Sequence, residues 1–137
     1  MSYQITCDVS VEQITTAGEA QQLLDDFAGM EFYHGRHAFT LFAGRPDADP
    51  QLRLDVDADA GRAAVTWLPG GSSGVQPGVN APEDDLVVCE SSDRDPVVVP
   101  KGRARVTLRV ARQALGEYVS TGHRPGALNW QTGAALD

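Results

Sequence analysis

Three apolar-rich runs in quick succession constrain this chain more than any other feature: residues 37–43 (HAFTLFA), 51–57 (QLRLDVD) and 63–68 (AAVTWL). In the second run Leu52, Leu54 and Val56 alternate with Arg53, Asp55 and Asp57. A period of two puts apolar side chains on one face of a strand and polar ones on the other. The links at 45–50, with two prolines and two aspartates, and at 59–62, with Gly61, are turns by composition. Connections this short pair consecutive strands, so residues 37–68 are expected to form a three-stranded antiparallel meander. A sheet with one apolar face needs a second layer to cover it.

Two segments can supply that layer. Thr16 is followed three residues later by Glu19, the spacing of a reciprocal helix cap, and Ala20, Leu23, Leu24 and Phe27 then share one helical face before Gly29 offers a stop. The stretch 103–121 fits two patterns at its start, since Val106, Leu108 and Val110 alternate like a strand. Leu108, Ala111, Leu115, Tyr118 and Val119 continue a helical stripe for three turns, which favours a strand only up to Val106 and a helix from about Leu108, capped by Thr107 and stopped by Gly122 and Pro125. Further strands are expected at 3–11, which alternates throughout, at 86–89, at 97–99 and around Trp130 within 127–131. Residues 69–82, rich in Gly, Pro and Ser, read as a surface loop. The expected class is α+β, a mostly antiparallel sheet of about six or seven strands with two main helices packed on it. The length of 137 residues suits a single domain over 1–137.

Charge narrows the partners. Eleven Lys and Arg stand against nineteen Asp and Glu, a net of −8. Nucleic acid and anionic membrane surfaces both demand a basic face, so neither is an expected partner, and a charged macromolecular partner should be basic. The imbalance is uneven: residues 1–69 hold 4 basic and 11 acidic side chains, net −7, and residues 70–137 hold 7 and 8, net −1. Asp47, Asp49, Asp55, Asp57 and Asp59 are therefore read as the solvated face of the meander and a candidate contact surface. Glu83, Asp84 and Asp85 form a second acidic patch, and Trp67 or Tyr33 are the nearby aromatic anchors. With no basic start, no apolar leader-like run and no stretch of 18 apolar residues, the protein is expected to be cytoplasmic and soluble. Cys7 and Cys89, 82 residues apart, are expected as core thiols without a disulfide.

No catalytic signature accompanies these features. The histidines at 34, 37 and 123 are the only near-neutral titrants, and none has ligand spacing. The aspartates at 47–59 lack the closing Glu of a calcium loop, so no metal and no cofactor is expected. The Gly70–Gly74 segment has neither phosphate-loop pattern, and Ser72 and Ser73 lack the nucleophile elbow. Arg105, Arg109 and Arg112 form a basic stripe read as the solvated side of the second helix.

The segment 106–125, with Trp130 just beyond it, resembles the close of the Imm1 family of bacterial immunity proteins, in which an amphipathic helix runs into a T-G-x-R-P turn and a short Trp-bearing strand. Here those positions are Thr121, Gly122, Arg124, Pro125 and Trp130. The turn is explicable as structure: Gly122 can adopt the left-handed conformation that ends a helix, Pro125 forbids continuation, and Arg124 can bond free carbonyls at the helix end. The resemblance implies a binding protein that neutralises a cognate intracellular toxin, of nucleic-acid deaminase or nuclease class, by occluding its active-site groove. Two alternatives stay open: a stand-alone accessory or regulatory protein of the same fold without a toxin partner, and a small ligand-binding protein or enzyme in which His37 or His123 would be essential.

Overall fold

The structure, a computed structural model, describes residues 1–132. Its elements run β1 (Tyr3–Cys7), β2 (Ser10–Ile14), α1 (Ala17–Ala28), β3 (Ala38–Gly44), β4 (Leu52–Asp57), β5 (Arg62–Trp67), β6 (Ser72–Val75), β7 (Leu86–Val88), β8 (Val97–Val99), β9 (Val106–Thr107), α2 (Leu108–Thr121) and β10 (Asn129–Thr132). The main sheet has the order β10-β6-β5-β4-β3-β1-β2, with β9 also on β5, and all its pairs are antiparallel. The expected α+β class and the 37–68 meander are both present.

Both helices cover one face of the sheet. Ile5, Phe39, Leu41, Leu54, Val56 and Val65 from the strands meet Ala20, Leu24 and Phe27 of α1 and Ala111, Ala114, Leu115 and Tyr118 of α2 in one buried core. The caps are those the sequence signals. The Thr16 hydroxyl accepts from the Glu19 amide at 3.2 Å while the Glu19 carboxylate accepts from the Thr16 amide at 3.1 Å, and the Thr107 hydroxyl accepts from the Val110 amide at 3.3 Å. The helices touch closely at Gly116, where a Cβ would lie 2.5 Å from the Gln21 amide nitrogen. Gln21 in turn donates to the Arg112 carbonyl, and the Arg112 guanidinium holds Asp25 at 2.9 Å.

Three expectations are corrected. Residues 3–11 are not one strand: Asp8, at φ 54, and Val9 form a two-residue turn, and β2 returns as an edge strand. Such a turn reverses the face on which later residues fall, so Val11 pairs across Thr6 and is 56% exposed. Residues 72–75 are strand β6 rather than loop, because Gly74 must lie flat under Leu128 and Trp130; a Cβ there would sit 2.6 Å from the Leu128 Cδ1. The basic stripe is not a free helix face either. Arg105 precedes α2 and donates to the Val79 carbonyl, Arg112 pairs with α1, and Arg109 alone is exposed.

Candidate interaction surface

The second face of the sheet has its own partial cover. The β7–β8 hairpin lies across it, burying Leu86, Val88 and Val99 with Ala104 against Ala38 and Ala64. Beyond the hairpin, Cys89 pairs in parallel with the edge of β3 that β1 does not reach, exchanging backbone hydrogen bonds with Ala38 and Thr40. Under the hairpin sits Asp55, 3% exposed. It accepts from the Thr40 hydroxyl at 2.7 Å and from the Arg53 guanidinium at 3.0 to 3.2 Å, while Arg53 also approaches Glu90 at 3.5 Å. Burial disfavours the Arg53 charge, but the Asp55 bonds and charge, with Glu90, more than offset it and hold the guanidinium above its ordinary range.

Asp55 therefore does not belong to a solvated face, and the five meander aspartates do not share one surface. Asp47 and Asp49 are exposed in the β3–β4 turn. Asp57 and Asp59 sit at the opposite end of the six-residue strand β4, about 17 Å away. There Asp57 accepts from the Ala60 amide at 3.1 Å and Asp59 from the His37 amide at 3.3 Å. The residues of the second patch, Glu83, Asp84 and Asp85, are exposed, and Asp85 caps the backbone of Lys101 at 2.8 Å. Trp67 is not a free anchor: its ring packs edge-on to Tyr118 with centroids 5.7 Å apart, on the helix side of the sheet. Tyr33 is 45% exposed and meets only the His34 ring among aromatic neighbours.

The T-G-x-R-P segment is built as a clamp. Gly122 at φ 72 donates to the Tyr118 carbonyl at 2.7 Å, Thr121 returns its hydroxyl to the Glu117 carbonyl, and the Trp130 indole donates to the Pro125 carbonyl at 2.8 Å. Arg124 does not bond helix carbonyls. It reaches the Ser72 hydroxyl at 3.4 Å and lies over the Trp130 ring at 5.2 Å, tying the turn to β6 and β10. The histidines are dispersed: the His37 ring bonds the Ala28 carbonyl at 3.1 Å, joining the end of α1 to the sheet, and His34 and His123 are exposed. Among the described residues no group of three or more His, Cys, Asp or Glu is placed to hold a metal ion, and no helix is long and apolar enough to cross a membrane.

What sequence reasoning missed is the uncovered part of the second face. Val11, Thr6, Phe42, Arg53 and Thr66 stand in one row across β2, β1, β3, β4 and β5, and beside them Gln4, Thr6, Phe42, Gly44, Arg45, Ala48 and Pro50 line a groove of about 270 Å³. Phe42 was detectable by parity, since it falls on the side of β3 opposite Phe39 and Leu41. The family described as immunity protein Imm1 matches residues 10–132. No curated protein matches the chain.

Proposed function

The chain belongs to the Imm1 immunity protein family, and from that membership we propose that it neutralises a cognate intracellular toxin of the nucleic-acid deaminase or nuclease class by occluding the toxin's active-site groove. The observation that carries the reading is the family match over 123 residues, β2 through β10, which spans the whole sheet apart from β1. Charge supports the finer part. An enzyme acting on nucleic acid presents a basic groove, and a chain of net −8 with exposed carboxylates at both ends of its meander is electrostatically matched to it.

The contacts proposed are Asp47, Asp49, Asp57, Asp59, Glu83, Asp84 and Asp85; Asp55, buried and ion-paired, is withdrawn from that set, and Trp67 is retained only as support from beneath. The mode of action is binding rather than chemistry. His37 is engaged in joining α1 to the sheet, and the other two histidines stand apart from it.

The test is reconstitution with the toxin domain encoded beside this chain's gene. A one-to-one complex and stoichiometric loss of the toxin's nucleic-acid chemistry are expected. Absence of a complex, or full toxin activity within one, overturns the reading.

A further inference from the structure

We propose that the uncovered groove beside β1 and β3 is the anchoring site for a basic toxin segment that inserts one apolar side chain between Phe42 and Pro50; this rests on the immunity reading above. The floor of the groove is apolar at Phe42, Ala48 and Pro50, with Gln4 and Thr6 offering polar groups beside it. Val11, exposed on the neighbouring edge strand, adds a further apolar side chain in the same row, beyond Thr6. At about 270 Å³ the groove has room for one large apolar side chain.

The rim selects the charge of the occupant. Asp47 and Asp49 flank Ala48 on one side, exposed. On the other side Asp8 holds the Ser92 amide at 2.8 Å, and Glu90 stands beside Arg53, whose guanidinium lies over the Phe42 ring at 5.3 Å. Of the two cations at the site, Arg53 is neutralised by Asp55, and Arg45, whose side chain lines the groove, carries its head away over the Tyr3 ring at 5.2 Å. An apolar floor between acidic rims fits a segment carrying an aliphatic or aromatic residue flanked by Lys or Arg. Buried anchors govern dissociation and rim charges govern association, so the two roles separate kinetically.

The test uses the full chain against a catalytically inactivated form of the neighbouring toxin domain, by surface plasmon resonance. Phe42→Ala is expected to raise the dissociation rate at least tenfold. Asp47→Lys with Asp49→Lys should slow association at low salt, and Arg109→Ala, exposed on α2 across the sheet from the groove, should leave both rates unchanged. Hydrogen exchange on the wild-type complex supplies a readout independent of any variant: protection is expected at residues 4–11 and 42–50. If the wild type binds the toxin, yet Phe42→Ala dissociates at the wild-type rate or protection falls elsewhere, the groove is not the anchor and the immunity reading stands. If the wild type binds no toxin, both fall. A concentration-dependent dimer of the free chain that Phe42→Ala abolishes would reassign the groove to a second copy and overturn the proposal.

Discussion

Asp55 shows how far a single residue's role depends on what is packed over it. Its alternation with Leu54 and Val56 correctly identified the face on which it stands, and that much was local information. Whether the face is wet was decided by residues 86–99, remote in sequence, whose hairpin lies over Ala38 and Ala64. Removing the carboxylate would leave a half-buried guanidinium and an unpaired Thr40 hydroxyl, so Asp55→Ala should cost about 3 kcal/mol in urea unfolding. Replacing Arg53 and Asp55 together by Leu should recover part of that loss, because the guanidinium is no longer stranded, while the Thr40 hydroxyl still lacks its acceptor. Gly74 carries a second residue-scale expectation. A methyl group there meets Leu128 and Trp130, so Gly74→Ala should destabilise by about 1 to 3 kcal/mol in the same measurement.

At the scale of elements, the helices were the most legible part of the chain because their signals are local. Thr16 with Glu19, Thr107, and Gly122 mark their ends by chemistry that needs no distant partner. Thr107→Ala removes the acceptor for the Val110 amide and the hydroxyl's bond to the Gln76 side chain, and should lower stability by about 1 kcal/mol with a matching loss of thermal midpoint. Strands were less legible where turns leave no Gly or Pro. The Asp8–Val9 turn preserved an unbroken alternation through Val11, which disguised a hairpin as a strand. In β6 the opposite happened: small residues required by close packing of Leu128 imitated a loop. The interaction groove was hidden for a related reason, since it is bounded by β1, β3 and the β3–β4 turn, which only the register brings together.

For the whole molecule, net charge was available from composition, but its distribution was not. Of the acidic residues in 1–69, Asp47 and Asp49 stand at one end of the sheet and Asp57 and Asp59 at the other, Asp55 is inside, and Glu19, Asp25 and Asp26 lie on α1. The titration of the core gives a global expectation. Burial pushes the Cys7 thiol, aided by the Asp8 charge, from the ordinary 9.0 up to about 12, and burial pushes the Tyr118 phenol from 10.0 to about 12. Folding favours the protonated form of each, so their contribution is whole below about pH 9, declines as pH rises and is lost above about pH 12. Thermal midpoints should accordingly hold steady from about pH 7 to about pH 9 and fall beyond it, with a shallower fall in Cys7→Ala.

The central claim, that this chain protects by binding a toxin and not by chemistry of its own, is tested most directly by growth of cells expressing the proposed cognate toxin domain. Co-expression of the wild type is expected to restore growth, and so is a variant with His34, His37 and His123 all replaced by Gln and shown to fold. Continued toxicity with the wild type, or protection lost in a folded triple variant that still binds the toxin, would contradict it.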